Sequence, residues 1–182
     1  MAVFDFFNAT KNKNREFWFS HLVVLVSTVL GVYLAASAGL KTAIEFELIK
    51  SDRDSYYMRA AFLDELRDNA DKMESWGKEY RGGKARKFIG NPDDFKLDDF
   101  IWLTMRDNPG TFEIPGEILT GVRRYYSSAQ TTLRKMTGKK PAAKEVDDML
   151  GATETFRKDT IIKLEEDVAK LRTKLEGIDI PL

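Results

Sequence analysis

His21 is the only histidine in this chain. Set in an apolar helix, a histidine can ligate a haem iron or a chlorophyll magnesium. It can equally lie at headgroup depth and hydrogen-bond to water, and no second ligand accompanies it here. Asp93, Asp94, Asp98 and Asp99 form the densest acidic cluster. Two pairs four and five apart on a short helix could hold a hard cation such as Ca²⁺ through oxygen ligands. A Ca²⁺ loop also needs turn glycines and alternating ligands, which are missing, so the cluster reads as a solvated acidic face. Lys84, Arg86 and Lys87 make a small basic turn that could touch lipid headgroups or an acidic partner, but three charges usually form just a solvated turn. Arg123, Arg124, Tyr125 and Tyr126 place cations beside aromatics. On a helix half of that quartet must face inward, so it reads as core plus partner-facing surface.

The remaining chemistry is bounded by absences in composition. There is no cysteine, so disulfides, thiolate nucleophiles and cysteine-ligated metals are excluded. No P-loop, dinucleotide glycine pattern, HExxH or GxSxG occurs, and a histidine-based triad has no histidine outside the apolar run. The expectation is a non-enzyme with no cofactor and no metal. Twenty-nine basic and 29 acidic residues give a net charge of zero. No global pull toward nucleic acid follows, and no small-molecule substrate is indicated.

Those residues hang from elements that are easier to read. Residues 17–40 contain no Asp, Glu, Lys or Arg, in a chain that is otherwise about one-third charged. As a helix the run spans ~36 Å, enough to cross a ~30 Å hydrocarbon core. Ala36-Ser37-Ala38 resembles a signal-peptidase site, but the apolar run is too long and starts too late for a cleavable signal. An uncleaved anchor is expected, dividing the chain into a cytoplasmic tail (1–16), a transmembrane helix (17–40) and an extramembrane, periplasmic domain (41–182). Lys11, Lys13 and Arg15 outweigh the cations after the span, which places the N-terminus in the cytoplasm of a bacterium and the span in its inner membrane. Asn8-Ala9-Thr10 matches a glycosylation sequon but falls on that cytoplasmic side. Phe17, Trp18 and Phe19 suit the interface.

Ser27, Gly31, Ala35 and Gly39 recur every fourth residue and form one stripe of small side chains on a helix. Membrane helices associate by close packing, which such stripes permit, so this is the candidate helix–helix docking surface. Tyr33 in mid-span is expected to find a hydrogen-bond partner on a neighbouring helix.

Neither proline nor glycine occurs from Lys41 to Trp76, so the helix is expected to continue. Met58, Phe62, Leu66, Ala70, Met73 and Trp76 form its apolar stripe, and Gly82-Gly83 ends it. Ser51 with Asp54 resembles a capping box, which offers a break there as the competing reading. Asn91-Pro92 opens a short helix carrying Asp93 and Asp94 in its first turn, with Phe95, Phe100, Ile101 and Leu103 as its apolar face. Thr111 to Ile114 could be extended. Pro115 leads into a helix with Ile118, Val122, Tyr125, Ala129, Leu133 and Met136 on one side. A last helical element runs from about Ala142 to Gly177 with a possible interruption at Gly151.

Its second half holds the cleanest heptad, with Ile161, Val168 and Leu175 at a and Leu164, Leu171 and Ile178 at d. In a parallel pair Asp167 would face Arg172 and Lys174 would face Asp179. Alternatively this seam packs on the protein's own long helix, the better reading for fewer than three heptads. The fold class expected is thus mainly α: one N-terminal transmembrane helix continuing into a long helix, plus a small helical bundle outside the membrane with a coiled-coil-like C-terminal helix.

An apolar span followed by the amphipathic stretch AAFLDELRDNADKM and a helical domain resembles bacterial single-span inner-membrane proteins with helical extracytoplasmic domains. The resemblance covers residues 17–80, is architectural, and carries over no functional residue. Two roles fit. In the first the chain is a non-catalytic accessory or scaffold subunit of a larger assembly, such as a respiratory or photosynthetic complex, partnered by other membrane subunits and the bilayer. In the second it is a membrane-tethered sensor or regulator. The sixteen-residue tail is too short for an output domain, so a sensor would speak through a partner. Phe4, Phe6 and Phe7 read as an apolar plug seeking a surface.

Overall fold

The computed structural model describes the backbone of residues 2–138 and 142–178, with the side chains of Arg15 and of residues 17–138 and 142–178. The chain is mainly helical, with no strand among the described residues. The helices are α1 (Ala2–Glu79), α2 (Phe100–Arg106), α3 (Gly116–Met136), α4 (Ala143–Phe156) and α5 (Ile162–Glu176). Single π-turns follow α1 (Tyr80–Lys84) and α4 (Arg157–Ile161), and short 3₁₀ turns cover Ala85–Lys87, Pro92–Asp94 and Pro109–Glu113. Two compact units result, Met1–Leu48 and Ile49–Leu182.

The first unit consists of α1 residues alone. Every described side chain from 17 to 48 is exposed. The stretch from Phe17 is long and apolar enough to cross a bilayer, with a mean hydropathy of 2.1 over its most apolar window and none of that window buried.

The second unit is a helical bundle. Residues 49–79 of α1 bury Phe62, Leu66, Ala70 and Met73, four of the six positions expected from helical periodicity, while Met58 and Trp76 pack against the core half-buried. All six expected α3 positions are buried. Opposite them stand Val146, Met149 and Phe156 of α4. α3 and α4 form an antiparallel hairpin (Lys135 Nζ to Glu145 2.8 Å; Tyr125 stacked on Phe156 at 3.9 Å and 4°). Close approach there depends on Gly121: a Cβ at that position would run into the Thr160 side chain, with Cγ2 at 3.1 Å. Gly83, inside the π-turn after α1, adopts φ +89°, a conformation that side chains disfavour.

Residues 51–54 are helical, as the continuous-helix reading expects, so the competing capping box of Ser51 and Asp54 does not form; Ser55 one residue on is buried against Glu113 instead. At four other places the structure departs from sequence expectation. Asn91-Pro92 opens only a three-residue 3₁₀ turn, and α2 begins at Phe100, so the four aspartates do not share one helix. The apolar face of that region is also different. Phe95 is buried, but Phe100 is 74% and Leu103 45% exposed, and Ile101, Trp102 and Met105 carry the inward side of α2. Residues 109–113 form a 3₁₀ turn instead of an extended segment, because Asn108 accepts from the Gly110 amide (2.9 Å) and closes the turn. Gly151 sits within α4; the interruption comes at the π-turn Arg157–Ile161, where a wider turn lets Thr160 and Ile161 both face inward.

Candidate functional site

Among the described residues, no second element covers the apolar part of α1 in its own unit. Ser27, Gly31, Ala35 and Gly39 are all exposed, and a Cβ on Gly31 or Gly39 would meet nothing within 4 Å. Thr28 and Thr42 turn their hydroxyls back to the carbonyls of Val24 (2.8 Å) and Ala38 (3.1 Å), which meets these two donors within the helix. Tyr33 is 67% exposed and bonds to nothing among the described residues. His21 donates through Nδ1 to the Phe17 carbonyl (2.9 Å), and its ring lies 4.1 Å from that of Phe17. Only Nε2 is left for a ligand. The described residues contain no group of three or more side chains suited to a metal ion, and that includes the aspartates at 93–99. Asp93 pairs with Lys96 (2.8 Å), whose hydrogen bond holds its carboxyl below the usual range, and Asp98 pairs with Lys72.

Inside the bundle lie polar residues that sequence reasoning passed over. Glu65 is 8% and Asn69 0% exposed. Glu65 accepts from the amides of Ile101 (2.6 Å) and Trp102 (3.1 Å) and from the Tyr126 hydroxyl (3.0 Å). It therefore caps α2 from a distant helix, in place of a local cap residue. Asn69 exchanges both its amide groups with Asp98 (Nδ2 to carbonyl 2.6 Å; amide to Oδ1 2.8 Å) and donates to Tyr126 (2.9 Å). Burial and the Glu65 carboxylate push the Tyr126 phenol far up, and burial raises Tyr125 to about 12. Both phenols stay protonated at neutral pH, so Tyr126 acts as a hydrogen-bond donor and not as a base. The network positions the 95–106 segment; it brings no nucleophile beside a base. The signal in sequence was a glutamate and an asparagine one step off the Leu66/Ala70 stripe, at positions that must still face a neighbouring helix.

Charge pairs tie α1 to the second half of the chain. Asp52 meets Lys174 (2.6 Å), Arg59 meets Asp167 (2.7 Å), Arg67 meets Glu165, Asp71 meets Arg157, and Asp147 meets Arg81 just beyond α1 (2.9 Å). Numbers rise along α1 as they fall along the partner, so the two run antiparallel. The heptad seam lies in this contact. Ile161, Leu164 and Leu175 are buried, Val168 and Leu171 half-buried, and Ile178 is 46% exposed. Asp167, which a parallel pair would set against Arg172, is taken by Arg59, and Arg172 bonds to Glu176 (2.8 Å). Asp179 lies outside the described residues, as do the side chains of the 8–10 sequon and of Phe4, Phe6 and Phe7.

Two open depressions flank the outer face of α3. One, of about 580 Å³ between α3 and α4, is lined by Arg123, Arg124, Ser127, Ser128, Glu145 and Asp148 among others. The other, of about 450 Å³, is floored by Phe95, Leu97 and Leu133, with Lys96 and Arg134 at its rim. The quartet Arg123–Tyr126 divides as its helical spacing requires, both tyrosines buried and both arginines exposed. Searches of family models, curated proteins and solved structures gave no match to this chain.

Proposed function

We propose that this protein is a non-catalytic accessory subunit, anchored in a bacterial inner membrane by residues 17–40, that docks onto a larger membrane protein assembly. One observation carries the reading: a helical segment bearing Leu22, Leu25, Val29, Leu30 and Leu34, each more than half exposed, with no covering element among the described residues of its own unit. Burying each such side chain is worth about 1.5–3 kcal/mol, so the segment belongs in lipid or against another helix. The stripe Ser27-Gly31-Ala35-Gly39 supplies the face on which a second helix can approach closely. Lys11, Lys13 and Arg15 support an N-terminus in the cytoplasm, and the second unit then lies on the periplasmic side.

Two measurements test this. Alkaline carbonate washing is expected to leave the protein in the membrane pellet. After mild detergent extraction the wild type is expected to carry partner subunits, and Gly31→Leu/Ala35→Leu to lose them. A double variant that co-purifies unchanged rules out the stripe as the docking face, and a wild type extracted alone as a monomer overturns the accessory role.

A further inference from the structure

We infer that the groove between α3 and α4 binds a phosphate ester, with Arg123 and Arg124 as its cationic ligands and Ser127 and Ser128 as hydroxyl donors. α3 carries four cations, Arg123, Arg124, Arg134 and Lys135, and one acid, Glu117. Glu117 pairs with Lys163, and Lys135 with Glu145. Arg123 and Arg124, like Arg53, Arg86 and Arg134, have no ion-pair partner among the described residues, whereas Arg59, Arg67, Arg81, Arg157 and Arg172 are paired. What sets Arg123 and Arg124 apart is that they are adjacent, line one groove, and each has a serine one helical turn further on, Ser127 and Ser128, exposed in that groove.

That set is chemically selective. Paired guanidinium forks beside hydroxyls supply more donors than the two oxygens of a carboxylate accept, whereas a phosphate offers three oxygens and close to two charges. The acids of the opposite wall do not cancel it. Glu145 is held by Lys135, whose hydrogen bond keeps its carboxyl below the usual range. Asp148 is unpaired among the described residues, but the hairpin register set by Lys135–Glu145 and Tyr125–Phe156 puts it level with Thr132. Arg124 lies eight residues from that level, ~12 Å along the helix, beyond a Debye length of ~8 Å. The hydroxyls between suit the polyol part of an ester such as a glycerol phosphate. A free monoester and a lipid that ends in a phosphomonoester, phosphatidic acid, share this chemistry. The site does not depend on the docking role proposed above.

The test uses the full chain in a non-ionic detergent at physiological ionic strength. Glycerol 3-phosphate and inorganic phosphate are titrated calorimetrically, and co-purifying lipid is measured by mass spectrometry. Saturable binding of glycerol 3-phosphate that weakens at least about tenfold in Arg123→Gln/Arg124→Gln supports a free ester. Retained phosphatidic acid that the same variant loses supports a lipid headgroup. The inference is overturned if neither occurs, if binding is unchanged in the double variant, or if a poly-glutamate peptide competes as well as the phosphate ester. Both arginines are exposed, so circular dichroism is expected to show the variants folded; Ser128→Ala, with weaker binding and unchanged helicity, is the second check.

Discussion

Arg59 of α1 donates to Asp167 of α5 through Nη1 at 2.7 Å, and to Glu113 through Nη2 at 3.1 Å, from a position only 4% exposed. One guanidinium thus ties together three segments separated by up to 108 residues in sequence. Its Nε has no partner, so the two carboxylates carry the whole compensation for burying this charge.

Arg59→Ala is therefore expected to destabilise the helical unit by about 2–3 kcal/mol. That is below the 3–5 kcal/mol of a fully enclosed pair, because Glu113 and Asp167 keep contact with water. Chemical denaturation monitored by circular dichroism measures it. Loss of the exposed pair Arg81–Asp147 is expected to stay within about 1 kcal/mol. Equal effects at the two sites contradict the assignment of Arg59 as the central tie.

Gly121→Ala is expected to destabilise by about 1–3 kcal/mol, since the new methyl meets Thr160 where α3 crosses the π-turn. Combining it with Thr160→Ala removes two of the three obstructing atoms. The pair is then expected to be less damaging than the sum of the single changes, a coupling that a double-mutant cycle reads directly.

The two neighbouring tyrosines are expected to respond oppositely to loss of the hydroxyl. Tyr126→Phe leaves Glu65 and Asn69 each short of a partner and is expected to cost about 1–3 kcal/mol. Tyr125 has a buried hydroxyl with no hydrogen-bond partner, so Tyr125→Phe is expected to be neutral or slightly stabilising at pH 7. In alkali the raised Tyr125 ionisation matters. Its contribution is complete below pH 10, the unfolded value, and is lost as pH rises toward about 12, where the folded form titrates. Tyr125→Phe is expected to flatten the fall in unfolding free energy between those limits. An unchanged pH profile removes Tyr125 as its source.

His21→Ala is expected to leave the visible absorbance of the purified protein unchanged. Nδ1 is occupied by the Phe17 carbonyl, and His21 belongs to no metal-binding group among the described residues. A band present in the wild type and absent in the variant assigns a haem or pigment to Nε2 and overturns that expectation.

Much of the architecture was legible because it rests on local rules. The uncharged run 17–40 and the 3.6-residue stripes of residues 58–76 and 118–136 need only neighbours along one helix to declare themselves. The segment 84–115 was poorly legible. Its order comes from Glu65, Asn69 and Ser55, which reach it from α1. A cap supplied from 36 residues away leaves no mark at the helix start it serves.

The candidate sites divide in the same way. That Arg123 and Arg124 face outward while Tyr125 and Tyr126 face inward follows from helical spacing alone. That these two arginines stand unpaired among the described residues while Arg59, Arg67 and Arg157 are engaged depended on which charges the antiparallel register brought together. Composition and periodicity determined the elements of this protein, because hydrophobic burial acts along each helix independently. Which side chains met, and which were left free to meet something else, was decided only by packing, because ion pairs and caps require two distant segments to arrive at the same place.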